Sequence, residues 1–485
     1  MLFNSLQFVV FCLIIIPVYF TLSNRFQNIL LLLCSIFFYF TFGPYVILIL
    51  VSIIVFDFFT GIQLASSAGW RRKVFFILGL LINIFVLLSF KYYNFINQNL
   101  GHILSVFHAL TPFPQISIIV PVGLSYITFQ SLSYKIEIYR KNIPAERDPV
   151  IFALFLMLFT KVIAGPIERP QKLIPQFKIR YNFDFSLFKE GMVQIAFGFF
   201  KKVVIADRLA IVVDSVYQNP SIHSGTELLV ASLFYSFQIY CDFSGYTDIA
   251  LGVSKIMGIR LVDNFNKPYF SKSISEFWKR WHISLSFWLR DYLFLPVSYR
   301  LSRKWKKKRY LFVRTEKWIY FSAALITFFI CGLWHGSAWH YVFWGLLFAV
   351  YLCFSIATAS YRKKFYKKIR LVKYPGFFSI TKVITTFLLV TFTWIFFRAD
   401  NISQGINIIK KIASLSMTDP VRFSINNIEM AFSSLLIIIL IIKEKYFYVI
   451  QSNDNIKWFT IILLLSFCCY FFGIFTTKQF IYFQF

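Results

Sequence analysis

Two apolar runs decide the fold of this sequence: IYFSAALITFFICGL at residues 319–333 and AWHYVFWGLLFAVYLCFSIATA at residues 338–359, joined by WHGS. Each run is long enough to cross, or nearly cross, a bilayer core of about 30 Å. Dense basic clusters flank the pair at 303–309 and 362–370. Because cationic loops favour the cytoplasmic side of a membrane, both clusters are expected there. The pattern predicts a helical hairpin whose turn, Gly332–Ser337, lies away from the cytoplasm.

The composition of the whole chain also indicates a membrane protein. Of 485 residues, 58% are hydrophobic, 15% are charged and 63 are Phe, and 50 Lys and Arg against 21 Asp and Glu leave a net charge of +29. A soluble domain carries about 25% charged residues, so this composition excludes one. It predicts an all-α integral membrane protein with about ten to twelve transmembrane helices plus re-entrant or interfacial helices. The apolar stretches lie at 7–22, 28–43, 45–63, 74–90, 116–135, 150–166, 188–206, 227–243, 319–333, 338–359, 378–397, 429–442 and 458–475.

No internal repeat or long hydrophilic stretch divides the chain, which predicts a single polytopic membrane domain over residues 1–485. The seven cysteines lie scattered in apolar runs without metal or disulfide spacing, so we expect small buried side chains. The phosphate-cradling patterns G-x-x-x-x-G-K and G-x-G-x-x-G are missing from the sequence, which argues against an ATP-driven pump.

His335, between glycines in the predicted turn, is the sharpest candidate for chemistry. Ionisable residues inside a bilayer are costly and usually face a cavity or a partner. A neutral histidine there can act as a general base, while Gly332 and Gly336 allow close approach of a substrate. A hydrogen-bonded structural histidine near the outer interface is an equal alternative from these residues alone. His340 lies five residues on, which is poor spacing for a shared metal, so no metal site is predicted.

The stretch FWKRWHISLSFWLRDY at residues 277–292 is the second candidate. On one continuous helix, His282, Ser286 and Arg290 would form a polar stripe at helical spacing. One interpretation is an in-plane interfacial helix with snorkelling cations. The alternative is that His282 and its neighbouring cations stand where an anionic substrate enters from the cytoplasm.

A third polar feature, Gln238 with residues 242–248 (DFSGYTD), follows an apolar segment. Its two aspartates are six residues apart, which does not favour an acid/base pair, so we expect a structural loop. Asn264, Asn266 and Pro268 then predict a turn.

Taken together, several motifs resemble those of the membrane-bound O-acyltransferase family, in particular the membrane subunit of bacterial alginate O-acetyltransferases, a branch that also O-acetylates peptidoglycan and other exported polysaccharides. The likeness covers a core over residues 1–400, and residues 401–485 are expected to add C-terminal membrane helices. The matching stretches are PVGLSYITFQ (121–130), IAGP (163–166), GFFKKVVIADRLA (198–210), DFSGYTD (242–248), 264–269, 273–292 and 331–345.

The resemblance implies a ring of helices around a central tunnel, with His335 as the catalytic residue and His282 as a second histidine on the acyl path. It also implies acetyl-CoA as the acyl-donor substrate, with no bound cofactor and no metal. The CoA phosphates suit Lys279, Arg280, Arg290 or the 303–309 cluster, because fixed cations stabilise phosphate oxygens. The residues expected around the donor or substrate are Trp278, Lys279, Arg280, Trp281, Ser286, Arg290, Asp291 and Trp334.

The same resemblance implies a multi-pass protein of the bacterial cytoplasmic (inner) membrane, embedded in membrane lipid. It acts on an exported polysaccharide with a separate extracytoplasmic acetyl-transferring partner protein, and nucleic acid is not an expected partner. The alternatives are D-alanyl transfer to teichoic acid, a transporter or flippase of an acyl or glycan carrier, and a lipid-modifying acyltransferase.

Overall fold

The computed structural model describes residues 1–106, 114–118, 120–162, 165–310, 313–414, 423–446, 454–475 and 481. This part of the chain is almost entirely helical, with one short antiparallel ribbon of β1 (Arg309–Tyr310) and β2 (Val313–Arg314). The all-α class predicted from the composition is therefore confirmed. Ile163 and Ala164 of the IAGP stretch, and residues 415–422, 447–453, 476–480 and 482–485 of the predicted C-terminal region, lie outside the described residues.

The helices vary from single turns to more than thirty residues. In chain order they are α1 (Leu6–Thr21), α2 (Asn24–Phe40), α3 (Pro44–Ser66), α4 (Gly69–Leu87), α5 (Tyr93–Val106), α6 (Leu124–Tyr139), α7 (Pro149–Met157), α8 (Phe159–Val162), α9 (Pro170–Leu173), α10 (Phe185–Phe199), α11 (Asp207–Gln218), α12 (Gly225–Ile256), α13 (Ile274–Arg280), α14 (Ile283–Leu289), α15 (Leu295–Lys304), α16 (Thr315–His335), α17 (Trp339–Ala357), α18 (Ala359–Lys368), α19 (Pro375–Arg398), α20 (Ile402–Ala413), α21 (Asn427–Tyr446) and α22 (Asn455–Phe472). Short π-helical segments join α4 to α5, α10 to α11 and α14 to α15.

The chain forms two compact units. The first comprises Met1–Phe199, Gly245–Val262 and Gln451–Ser466, and the second comprises Phe200–Ser244, Asp263–Ile450 and Phe467–Phe485. The single membrane domain over residues 1–485 stays a prediction, because compactness alone does not say which parts fold independently.

Several helices are long and apolar enough to cross a membrane. Among the described residues six meet both conditions: Pro44–Ser66, Gly69–Val106, Thr315–His335, Trp339–Ala357, Pro375–Arg398 and Asn455–Phe472. Three shorter apolar helices accompany them. Large apolar side chains such as Leu48, Phe85 and Leu463 are exposed on these helices, and only lipid would shield them from water. A multi-pass membrane protein is thus confirmed, while the number of ten to twelve spans stays a prediction.

The predicted hairpin is present in the second unit, where α16 and α17 pack closely against each other. Two glycines permit this approach. A Cβ atom at Gly345 would overlap the carbonyl oxygen of Phe328, and one at Gly332 would overlap that of Tyr341. Without side chains at these two positions the helix backbones come together, and α16 ends at His335.

The polar run of residues 242–248 does not form the expected loop. It lies inside α12, a continuous helix of 32 residues. The carboxylate of Asp242, within this run, lies 2.5 Å from the ammonium of Lys202. Because Asp242 is buried and paired, the helix continues where the residue types alone suggested a break.

Replacing Gly345 by Ala should destabilise the second unit, because the added methyl group meets backbone that cannot move away. Overpacking of this kind costs about 1–3 kcal/mol. The measurement is the thermal unfolding midpoint of the purified protein in detergent. Gly376→Ala is the matched control, since a Cβ there meets nothing within 4 Å. If Gly345→Ala lowered the unfolding midpoint no more than Gly376→Ala does, the close packing of α16 against α17 at Gly345 would be contradicted.

Candidate functional site

His335 is the last residue of α16 and lies in a box of aromatic rings. Its side chain is almost fully buried, with 3% of the residue surface exposed. The imidazole ring lies 4.9 Å from the rings of both Trp334 and Trp344, and 5.5 Å from that of Phe397. The sequence placed this histidine at a hairpin turn, and the structure adds that large apolar rings exclude water from it.

His282 is fully buried and breaks the helix on which it was predicted to lie. The stretch 277–292 forms α13 and α14 with a break at Trp281–His282, followed by a π-helical segment. His282 has φ of +42°, in the left-handed region that non-glycine residues rarely adopt. The polar stripe of His282, Ser286 and Arg290 expected for one continuous helix is therefore wrong.

Asn264 holds this break in place. Its side-chain Oδ1 accepts hydrogen bonds from the backbone N–H and the hydroxyl of Ser284, at 3.2 and 2.8 Å, and lies 3.2 Å from Nδ1 of His282. Its backbone carbonyl accepts from the N–H of Ile283. The predicted turn around Asn264 therefore has a direct role in positioning the second histidine.

These contacts fix the protonation of His282. Because Oδ1 of Asn264 is an acceptor, Nδ1 of His282 carries the proton and Nε2 has the lone pair. Burial lowers the pKa of the His282 imidazole to about 3, so the ring is neutral at physiological pH. In this form Nε2 can accept a hydrogen bond or a proton, but it cannot donate a hydrogen bond to an oxyanion.

Trp334 connects the two histidines. The ring of Trp334 lies 6.0 Å from that of His282 and 4.9 Å from that of His335. Residues 53 positions apart in the chain thus contact the same indole. The structure thus brings together His282 and His335, one from each of the two candidate motifs.

A cavity of about 200 Å³, here called the basic cavity, contains four of the residues expected to bind the donor: Trp278, Lys279, Ser286 and Arg290. Its apolar wall comes from Phe294, Phe328 and Leu352, among others. The indole of Trp278 lies 6.0 Å from that of Trp344, which in turn contacts His335. The cavity therefore combines two cations with an apolar surface leading towards His335.

The other expected binding residues lie elsewhere. Arg280 pairs with Glu276 at 2.7 Å, and Asp291 pairs with Arg290 at 2.8 Å. Trp281 is buried against Trp394, at 5.0 Å between rings, and does not line the basic cavity. Arg280, Trp281 and Asp291 therefore shape the surroundings of the cavity rather than its surface.

A second cavity, of about 420 Å³, is lined mainly by polar residues and is here called the polar cavity. The sequence analysis did not predict that these residues line one cavity. Its charged side chains are Lys202, Asp207, Asp214, Asp242, Arg398 and Asp400. The signal was present in GFFKKVVIADRLA, because ionisable residues in an apolar run must find partners when they are buried.

The two cavities contact different parts of the α16–α17 hairpin. The basic cavity includes Tyr320 and Leu352, towards the ends that carry the basic clusters, whereas the polar cavity includes His340 and Tyr341, just after the turn. Along α16 the lining of the basic cavity runs from Tyr320 to Phe328, about 22 to 10 Å from His335 at 1.5 Å per residue. His335 lines neither cavity, but its ring contacts Trp344, which lies against Trp278 of the basic cavity, and Phe397, which lines the polar cavity. In the described ranges, no group of three or more His, Cys, Asp or Glu side chains could hold a metal ion.

Comparison with known proteins identifies the family. Residues 148–398 match the model of the membrane-bound O-acyltransferase family. The chain is 36% identical over 408 residues to the probable alginate O-acetylase of Pseudomonas aeruginosa, covering 83% of this chain and 73% of that protein. It is 30% identical over 421 residues to the peptidoglycan O-acetyltransferase of Helicobacter pylori, covering 81% and 74%. The teichoic acid D-alanyltransferase of Bacillus subtilis is 33% identical over 291 residues, covering 59% and 70%.

The chain belongs to the membrane-bound O-acyltransferase family, as its motifs predicted. It is a multi-pass membrane acyltransferase.

The buried, neutral state of His282 predicts a pH-dependent stability. Its pKa in the folded protein lies below the value of about 6.5 of an exposed histidine, so between these values only the unfolded chain binds the proton. Stability should therefore fall as the pH drops below about 6.5, by about 1.4 kcal/mol per pH unit. The comparison is between wild type and His282→Asn, with thermal midpoints measured in detergent at pH 7.5 and pH 5.0. The thermal midpoint of the wild type should fall more between pH 7.5 and pH 5.0 than that of the variant. An equal fall in both proteins would contradict a buried, neutral His282.

Proposed function

We propose that this enzyme moves an acetyl group from cytoplasmic acetyl-CoA across the bacterial inner membrane for O-acetylation of an exported cell-surface polysaccharide. The observation that carries the proposal is the position of His335, whose buried imidazole contacts Trp344 beside the basic cavity and Phe397 in the lining of the polar cavity. A donor and an acceptor can then approach the same imidazole from different directions. The similarity to a probable alginate O-acetylase and to a peptidoglycan O-acetyltransferase supports an exported polysaccharide as the final acceptor.

The basic cavity suits the acyl donor. Lys279 and Arg290 provide positive charge for phosphate groups, which bind guanidinium and ammonium groups strongly. The apolar wall of Trp278, Phe328 and Leu352 suits the uncharged arm that carries the thioester. The phosphates then remain near the end of the hairpin that has the basic clusters, while the acetyl group points towards Trp344 and His335.

In the proposed reaction His335 acts as the general base. The imidazole accepts the proton of the acceptor hydroxyl as its oxygen attacks the carbonyl carbon of the thioester. The carbon–sulfur bond breaks, the thiolate leaves, and it recovers a proton from the imidazolium ring. The products are an acetyl ester and free CoA. His282 is assigned to the acyl path, where its Nε2 accepts a hydrogen bond.

A separate extracytoplasmic protein is proposed to complete transfer onto the polymer. Teichoic acid D-alanyl transfer is the second candidate, favoured by the match to the Bacillus subtilis D-alanyltransferase over 59% of this chain. The two candidates differ in the donor, so the donor assay below also separates them.

The test is acetyl transfer by the protein in membrane vesicles, with any neighbouring partner gene co-expressed and acetyl-labelled CoA supplied on the cytoplasmic side. Wild type should form acetyl ester on the exported polymer. His335→Ala should lower the rate by about 10²- to 10⁴-fold, the usual loss on removing a general base. His102→Ala, at an exposed position on α5, is the matched control and should keep full activity. Equal labelling by wild type and His335→Ala would reject the catalytic assignment.

The same assay examines the donor. Lys279→Gln with Arg290→Gln should raise the KM for acetyl-CoA with little change in kcat, because these cations hold the donor away from the reacting atoms. Lys272→Gln, exposed in the same stretch but outside the basic cavity, should leave the KM unchanged. Labelling only from a D-alanyl carrier protein, and none from acetyl-CoA, would instead support the second candidate.

A further inference from the structure

Helix α18 (Ala359–Lys368) carries a dense positive charge that the proposed acyl transfer does not use. It begins two residues after the end of α17, in the second unit. Seven of the twelve residues 362–373 are Lys or Arg, and the stretch from Lys317 to Ala399 contains no Asp or Glu. Among the described residues that line the basic cavity, none comes from α18. The positive charge of α18 therefore lies outside the site assigned to the acyl donor.

Two half-buried residues fix which face of α18 is turned towards the protein. The guanidinium of Arg362 donates hydrogen bonds to the backbone carbonyl and to the hydroxyl of Ser355, at 2.6 and 2.9 Å. The ring of Tyr366, about one turn later, lies 4.9 Å from that of Phe378 in α19. The helix is thus packed against the protein along the line of Arg362 and Tyr366, and its other faces point outward.

An apolar stripe runs along one of these outward faces. Tyr361, Phe365 and Ile369 follow each other at four-residue intervals and are 76%, 57% and 48% exposed. Residues three and four apart are neighbours on a helix surface. The exposed Lys364 and Lys368 lie three residues after Tyr361 and Phe365, so they border the stripe. The helix therefore has one face against the protein, one apolar face and one cationic face.

A lipid surface matches this arrangement of faces. A helix with an apolar face beside Lys and Arg side chains lies in the interface of a bilayer, with the apolar face towards the acyl chains. Because α17 is long and apolar enough to cross a membrane, a helix that begins two residues after its end lies near the level of the headgroups. Clusters of four to eight Lys and Arg next to a membrane span attract anionic lipids.

We propose that α18 is an interfacial helix that binds the phosphate headgroups of anionic phospholipids. Lys364 and Lys368 hold headgroups beside the apolar stripe, and the exposed Lys363 and Lys367 add positive charge on the outer side. The stripe itself lies among the upper parts of the acyl chains. This inference is independent of acetyl transfer, because no residue of the basic cavity and neither histidine takes part.

The experiment measures which lipid is concentrated at α18. A fluorophore is attached to a single added cysteine at the exposed Ser360, with the unmodified protein as the background for its natural cysteines. The full chain is reconstituted into phosphatidylcholine vesicles in which about one lipid in ten has brominated acyl chains, which quench fluorescence. The brominated lipid is either phosphatidylglycerol or phosphatidylcholine. Brominated phosphatidylglycerol should quench at least about fivefold more strongly, the effect of about one lysine near an anionic surface.

Two charge-neutralising variants form a matched pair. One replaces the four lysines of α18 and should reduce quenching by phosphatidylglycerol to the level of phosphatidylcholine. The other makes the same change of charge in the neighbouring basic cluster and should leave quenching at position 360 unchanged. All eight lysines are exposed, so the thermal unfolding midpoints in neutral detergent should match that of the wild type. The substitutions are Lys363→Gln, Lys364→Gln, Lys367→Gln and Lys368→Gln in the first variant, and Lys304→Gln, Lys306→Gln, Lys307→Gln and Lys308→Gln in the second.

Salt provides a test that needs no lysine variant. Raising the ionic strength from 0.1 to 1 M shortens the screening distance from about 10 to about 3 Å, so the preference for phosphatidylglycerol should fall while quenching by phosphatidylcholine persists. Equal quenching by the two lipids at low salt, quenching by neither, or equal effects of the two lysine variants would overturn the proposal. Displacement of phosphatidylglycerol from α18 by added acyl carrier protein, a soluble acidic protein, would also overturn it and assign the surface to a protein partner.

Discussion

The close approach of α16 and α17 at Gly332 and Gly345 sets the geometry on which the candidate site depends. Because neither position has a side chain, the two backbones meet, and α16 ends with His335 against Trp344 of its partner helix. Trp334 and Phe397 complete the enclosure. Electrostatic interactions of this imidazole are stronger in such a dry setting, since little water screens them. Through the same packing, Trp344 contacts both His335 and Trp278 of the basic cavity.

Several buried polar groups around this centre are stabilised by a specific partner. Asn264 satisfies the backbone and side chains of the segment at His282 and so stabilises its left-handed conformation. Lys202 joins α12 to the π-helical segment before α11 by pairing with Asp242 and Asp207. Breaking one partner of such a buried pair is strongly destabilising, because it leaves an uncompensated charge. These contacts therefore make the site rigid.

The sequence was sufficient for the features that depend on local pattern. The hairpin, the membrane class and the position of His335 at a turn all follow from apolar length, basic clusters and one glycine-flanked histidine. The break at His282 was not predictable in this way, because it depends on Asn264, 18 residues earlier in the chain. The continuity of α12 through residues 242–248 was missed for the same reason, since Lys202 comes from a different helical segment. The polar cavity likewise combines residues from 202 to 481 that no single motif contains.

The proposed function requires that the donor and the acceptor approach His335 from opposite sides of the membrane, and sidedness of labelling tests this most directly. Single cysteines are placed at Ser337, in the hairpin turn, and at Ser275, an exposed residue of the basic cavity. A membrane-impermeant maleimide is then added to sealed vesicles from one side at a time, with the wild-type protein as the background for its natural cysteines. The account predicts labelling at 275 only from the cytoplasmic side and at 337 only from the opposite side. Labelling of both positions from the same side would contradict it.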